Sequence, residues 1–294
     1  MIKGSVRILF ILILGLQLTS AQESSEYIGA IKLNDSAIIT YKVKFNINYD
    51  QVEGYSITDF GGDHETKSKL KGIYNPSTRE ISFNEYDIVY TKSDVIHDDF
   101  CFVHFEPTYF KPGKTKYFKG DFKGEFSDGE ECISGELFLN AAENVEKRME
   151  KMSKKINKSD QVADSIKQKA KDLKLLEKLN MNILKKSQVT SVFSKNKTVS
   201  LLIYDGGQED GDMISIKLNG DFILRRHTIS KEVKTVEVPL TSKKTIIEVI
   251  ADGVGTMSTN TAVIEIHDGV NKIRAMTNLE KNQSTQIHVL QKRQ

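Results

Sequence analysis

Between Ala37 and Phe138 the chain is built of short runs in which apolar and polar residues alternate. AIITYKVKFNIN opens with a β-rich run and settles into Tyr41-Val43-Phe45-Ile47 on one face against Lys42-Lys44-Asn46 on the other. KLKGIY and EISFNEYDIVY flank Asn75-Pro76-Ser77-Thr78, a hairpin connection with proline in a turn position. In FKGDFKGEF, Phe118, Gly120, Phe122, Gly124 and Phe126 share one face and Lys119, Asp121, Lys123 and Glu125 the other. Glycines between phenylalanines let rings lie over bare backbone and let a sheet coil. The pattern predicts about eight strands forming an antiparallel β-barrel or sandwich.

The period then changes. From Glu136 to Tyr204 there is neither Gly nor Pro. Val145, Met149, Met152 and Ile156 step by four, three and four, and Ile166, Ala170, Leu173, Leu176, Leu179 and Ile183 continue a similar stripe. This predicts amphipathic helix, with Ser159 or Asp160 as the cap of a second piece. Past residue 187 the alternation returns, rich in Ile, Val and Thr. Asn219-Gly220 and Asp268-Gly269 each separate two alternating runs, a strong hairpin signal. KTVEVPL and KTIIEVIA add strands, and Pro239 suggests an edge. The fold class expected is mainly β, with an N-terminal antiparallel β-barrel or sandwich, a helical connector and a C-terminal jelly-roll-like β-sandwich.

Composition supports two separate cores. Of 24 Phe and Tyr residues, 20 lie between Tyr27 and Phe138, none in 141–186, and only Phe193, Tyr204 and Phe222 beyond. The first 21 residues read as a secretory signal peptide: Lys3 and Arg7, an apolar run from Ile8 to Leu16, then Thr19-Ser20-Ala21. The expected organisation is 1–21 signal peptide, 22–140 aromatic-rich β domain, 141–186 charged connector and 187–294 β-sandwich. No later stretch is apolar enough for a transmembrane segment. The expected location is therefore outside the cytoplasm, periplasmic or extracellular.

Without its signal the chain carries 42 − 2 = 40 basic and 40 acidic residues, which argues against a nucleic-acid partner. The charge is segregated: 13 basic and 21 acidic residues in 22–140, 13 and 7 in 141–186, 14 and 12 in 187–294. The connector is thus either a solvated helix or one that docks on its acidic neighbour. Cys101 and Cys132 are the two cysteines, and in an exported chain they are expected to form one disulfide between strands.

The densest candidate chemistry is YDGGQEDGDMISIKLNG. Asp205, Glu209, Asp210 and Asp212 fall within eight residues on a glycine-bent loop. Hard cations such as calcium take several oxygen ligands, so the spacing admits a metal site; it equally admits a solvated loop. It is not an EF-hand, since Asp210 and Ile216 stand where glycine and glutamate are required.

This run, with the later EVIADGVGTMSTNTAVIEIHDG, resembles a β-sandwich module recurring at the C-terminus of exported Gram-negative bacterial proteins. That module pairs a D-x-G-x-x-D-G-D segment, matched by Asp205, Gly207, Asp210, Gly211 and Asp212, with a stretch ending in Asn260-Thr261-Ala262. It is similar, more loosely, to calcium-dependent carbohydrate-binding modules. The resemblance covers about a third of the chain, and it implies calcium on Asp205, Asp210 and Asp212, with Asp252 and Asn260 approaching from a neighbouring turn. A glycan is then an expected ligand, although no Trp offers a stacking platform. No nucleophile elbow, zinc-helix motif or phosphate loop is present. His97, Asp98 and Asp99 in one turn, and Asp59, Asp63, His64 and Glu65 in another, are lesser clusters. The function expected is non-catalytic binding of calcium and a glycan. The alternatives are a cell-envelope structural or assembly protein, binding other envelope proteins, and a lipocalin-like carrier of an apolar ligand in the barrel mouth. Oligomeric state leaves no mark in the sequence.

Overall fold

In the computed structural model, the structure describes residues 24–34, 37–93, 99–159, 161–164, 167, 182–207, 209–256 and 259–292. The signal-peptide reading, the apolar stripe from Ile166 to Leu179, and His97 and Asp98 lie outside these residues.

The protein is mainly β. Eight strands form the N-terminal unit: β1 (Ser24–Leu33), β2 (Ile38–Asn48), β3 (Gln51–Thr58), β4 (Thr66–Asn75), β5 (Glu80–Thr91), β6 (Phe102–Tyr109), β7 (Tyr117–Glu125) and β8 (Glu131–Ala141). Each pairs antiparallel with its sequence neighbours, and β1 pairs β8, so the sheet closes into an up-and-down barrel without free edges. Alternation sends Tyr41, Val43 and Phe45 of β2 and Phe118 and Phe122 of β7 into the interior. Rings fill it: Phe83 and Phe105 stack at 4.9 Å, and Phe118 meets Tyr27 at 4.8 Å and Phe110 at 5.6 Å.

Cys101 and Cys132 are joined, with Cα atoms 6.1 Å apart. The bridge passes over β7 at Gly124, where a β-carbon would stand 2.5 Å from the Cys101 sulfur and 3.1 Å from that of Cys132. One of the two glycines read as space for rings is therefore space for the disulfide. The other, Gly120, does lie under the Phe105 ring.

Helix α1 (Ala142–Lys158) follows β8 directly and buries no residue fully. Its Met149 packs on Ile57 and Phe60 on the barrel's outer wall, while Met152 stays exposed. The stretch read as connector ends earlier than expected, because Ile183 belongs to a strand, β9 (Asn182–Lys185). Nine more strands follow: β10 (Val189–Ser194), β11 (Thr198–Asp205), β12 (Asp212–Leu218), β13 (Asp221–Thr228), β14 (Lys234–Pro239), β15 (Lys244–Val254), β16 (Ala262–His267), β17 (Lys272–Asn278) and β18 (Ser284–Gln291).

They form two layers over one aliphatic core that includes Leu201, Ile203, Ile214, Ile216, Val249, Ile264 and Ile287. One layer runs β14-β11-β16-β17-β9, with β14 and its Pro239 at the edge; the other runs β13-β12-β15-β18-β10. β9 is parallel to β17 and β10 to β18, which departs from an all-antiparallel jelly roll.

The second layer continues into the barrel. β5 closes the barrel against β6 near its start, from Glu80↔Tyr109 to Asn84↔His104. Near its end it pairs with β10, Tyr90↔Val192 and Thr91↔Ser191. Val89 and Tyr90 consequently belong to the sandwich core. One strand serves both units.

Candidate cation site at the end of the sandwich

The acidic loop joins β11 to β12, one in each layer. Asp205 closes β11 on the inward face that carries Leu201 and Ile203, and Asp212 opens β12 on the face of Ile214 and Ile216. Alternation alone therefore aims two carboxylates into the end of an aliphatic core, where they are 6% and 1% exposed.

Part of their bonding capacity is used. Asp205 Oδ1 accepts from the Gly207 amide at 2.7 Å. Asp212 Oδ2 accepts from the Thr261 amide at 2.7 Å and its hydroxyl at 3.3 Å. Asp210 Oδ1 accepts from the Asp212 amide at 3.3 Å. The turn at Gly255 covers Asp210 so closely that a β-carbon there would lie 2.6 Å from Asp210 Oδ1.

The other oxygen of each residue has no partner. Asp205 Oδ2, Asp210 Oδ2 and Asp212 Oδ1 are all buried and accept no hydrogen bond. Burial pushes the Asp212 carboxyl above its usual range, and the charges of Asp210 and Asp205 push it the same way. Leaving a buried carboxylate oxygen unsatisfied costs free energy, and like charges add to that cost. As the side chains lie, no three His, Cys, Asp or Glu residues among those described are grouped to hold one metal ion.

The other three sequence candidates point elsewhere. Glu209 Oε1 accepts from the Lys231 amide. Asp252 sits at a register shift in β15, on the opposite face from Ala251, and accepts from Ser215 Oγ at 2.6 Å. Asn260 is fully buried, but its amide is spent on structure. It donates to the carbonyls of Met213 (3.2 Å) and Gly253 (2.9 Å) and accepts from Thr277 Oγ1 (2.9 Å) and the Ala262 amide (3.3 Å). Asn260 ties β12, β15, β16 and β17 together at this end.

The lesser clusters are also occupied. Asp59 caps its own turn through the His64 amide, and Asp63 pairs with Lys185 at 3.0 Å. Glu65 is buried between the Tyr90 hydroxyl (2.8 Å), the Gly61 amide (2.8 Å) and Lys92 (3.4 Å). It braces the junction of barrel and sandwich.

Two further features lie outside these clusters, the first at the barrel mouth where the carrier alternative would place its ligand. At one barrel end a pocket of about 550 Å³ is walled by Ile38, Ile39, Ile88 and Phe100, and Glu85 also lines it. Glu85 is 3% exposed, and burial raises its carboxyl despite bonds from Ser56, the Val103 amide and Tyr41. Alternation in EISFNEYDIVY, which puts Glu85 on the inward face with Ile81 and Phe83, is the signal that could have located it. The second feature is a basic seam between barrel and sandwich, signalled by lysines at alternate positions: Lys42 and Lys44, then Lys67, Lys69 and Lys71.

No protein-family model matches the chain, and no curated protein or solved structure matches it.

Proposed function

We propose that the chain is an exported, non-catalytic binding protein whose sandwich end takes a divalent cation, calcium foremost, on Asp205, Asp210 and Asp212. The observation that supports this most is the trio of buried carboxylate oxygens without partners. Calcium would supply the missing positive charge and satisfy all three at once. Side-chain rotation would have to draw them to a common centre, with backbone carbonyls and water completing the shell. A glycan would engage such an ion through paired hydroxyls, since the sandwich has few aromatic rings to stack on.

Thermal unfolding of the full chain with calcium, with magnesium, and with calcium plus chelator tests this. Binding restricted to the folded state stabilises by about 2.7 kcal/mol at a hundredfold excess over Kd. The expected result is a rise in Tm with calcium, reversed by chelator and absent in Asp210→Asn/Asp212→Asn. A wild-type chain indifferent to every divalent ion would refute the reading and leave an envelope scaffold in its place.

A second reading has its own observation, the pocket at the barrel mouth. The rings fill the barrel centre, but this opening is apolar on one side, as a carrier of a small amphipathic ligand would need. Displacement of a fluorescent fatty acid, lost on Ile39→Asp, would support it.

A further inference from the structure

Where the barrel wall meets β17 and β9, two pockets share Tyr55, Lys67 and Lys272. The inner one, about 220 Å³, has five basic side chains in its wall, Lys42, Lys44, Lys67, Lys272 and Arg274, against one carboxylate, Glu26. Glu26 is already engaged by Lys42 at 2.6 Å and Lys44 at 3.4 Å. Glu65, nearby, is held by Lys92, Tyr90 and the Gly61 amide.

Lys67 therefore has no carboxylate within ion-pair distance among the described residues, and its ammonium lies 3.9 Å over the Tyr55 ring. Burial and the charges of Lys42 and Lys44 bring its pKa down to about 8, against an opposing pull from Glu65. An independent observation falls on the same cavity. Asn182, the first residue of β9, lines it at 4% exposure, and neither the oxygen nor the nitrogen of its side chain has a hydrogen-bond partner. Buried amides are almost always satisfied, so this one is waiting for a group that brings its own donors or acceptors.

Ammonium groups lining one cavity beside a free amide donor complement a tetrahedral oxyanion. We propose that the seam binds a phosphate or sulfate group, held by Lys67, Lys272 and the side-chain amide of Asn182; Arg274, also in the wall, is already paired with Glu265 at 3.7 Å. The outer pocket, about 540 Å³ and carrying Lys69 (paired with Asp87 at 3.6 Å), Lys71, Tyr86 and Glu53, is the room for the uncharged remainder of an ester. The Asn182 oxygen is then available to a hydroxyl of that ester. Lys67, Lys272 and Asn182 are not part of the acidic loop and the site has the opposite charge, so its test needs no calcium.

Isothermal titration of the full chain with inorganic phosphate, inorganic sulfate, phenyl phosphate and phenyl sulfate tests the proposal, each compared with chloride at matched ionic strength. Saturable binding beyond chloride is expected. Losing one charge-assisted bond should weaken it about tenfold in Lys67→Met and Lys272→Met. Asn182→Leu should weaken it too, and Lys119→Met, on another part of the barrel wall, should leave it unchanged. Tighter binding of phenyl esters than of the free ions assigns an ester as ligand, and equal affinity assigns the free ion. Lack of binding beyond chloride overturns the proposal. So does an equal loss in Lys119→Met and in the Lys67 and Lys272 variants, which would reduce the effect to surface charge.

Discussion

Replacing Lys67 with methionine should make the protein more stable, the reverse of what deleting a structural cation does. The ammonium pKa falls from 10.5 to about 8, chiefly because the group is buried. A shift of about 2.5 units, at 1.36 kcal/mol each, means the charged form costs the folded state about 3 kcal/mol at neutral pH. Methionine keeps the packing over Tyr55 but loses a cation–π contact, roughly 1 kcal/mol. The net gain expected is about 2 kcal/mol, a rise in Tm of roughly 4–8 °C for a chain of this size.

The pH dependence carries a second signature. Folded Lys67 releases its proton near pH 8, whereas the unfolded lysine holds it until about pH 10.5. Between those values the unfolded chain binds more protons, so the wild type gains stability as pH rises. The advantage of Lys67→Met should be complete below pH 8 and shrink toward pH 10.5. Burial raises the hydroxyl of Tyr55, whose ring lies under the Lys67 ammonium, above its usual value. Melting curves of both proteins across pH 7–10, read by far-UV circular dichroism, measure the advantage. A variant no more stable than wild type at pH 7 would refute the idea of an uncompensated cation.

Gly124→Ala should hinder the Cys101–Cys132 bridge, because the added methyl meets the Ile133 carbonyl at 2.2 Å and crowds both sulfurs; thiol titration after oxidative refolding should find free cysteine, with a stability loss of about 2–4 kcal/mol. A fully oxidised variant with unchanged Tm would contradict the crossing over β7. Asn260→Ala should cost about 2–4 kcal/mol in urea unfolding, since it removes the amide that bonds the carbonyls of Met213 and Gly253 in a fully buried place. Any calcium-induced shift in Tm should survive that substitution, and its loss would restore Asn260 as a ligand. Tyr90→Phe should cost about 1 kcal/mol by removing a buried bond to Glu65, and chemical unfolding would show no loss if Lys92 and Gly61 alone satisfy that carboxylate.

Local signals were legible in the sequence, and long-range ones were not. Alternation located β2, β4, β5 and β7, and the Asn219-Gly220 turn joins β12 to β13. The Asp268-Gly269 hairpin also forms, although His267↔Lys272 pairing makes its loop four residues long. Ile183 misled because a short strand of apolar residues matches a helical stripe when no glycine or proline interrupts it. Parallel pairing of β9 with β17 joins residues far apart in the chain, which no local pattern encodes. The double use of β5 is invisible for the same reason. Clustered acids marked the loop, but only alternation measured from the strand ends separates Asp205 and Asp212, which point inward, from Glu209, which bonds Lys231. Asp252 and Asn260 were brought in by resemblance, and in three dimensions Asp252 holds the Ser215 hydroxyl and Asn260 holds backbone carbonyls.

The two charged clusters share a physical logic that a stability measurement can read before any ligand is known. Groups that hold a fold together are satisfied, as Glu65 and Asn260 are, and removing them destabilises. Buried groups left short of partners work against the fold, and they persist where something outside the chain completes them. The acidic end has three orphaned oxygens and a carboxyl raised by burial; the seam has a lowered ammonium and an orphaned amide. Removing charge from either should therefore raise Tm without ligand and abolish the response to the matching ion. A structural role predicts the opposite sign at both places. Lys67→Met and Asp210→Asn/Asp212→Asn thus divide function from scaffold by the direction of a melting shift, and each cluster stands or falls without reference to the other.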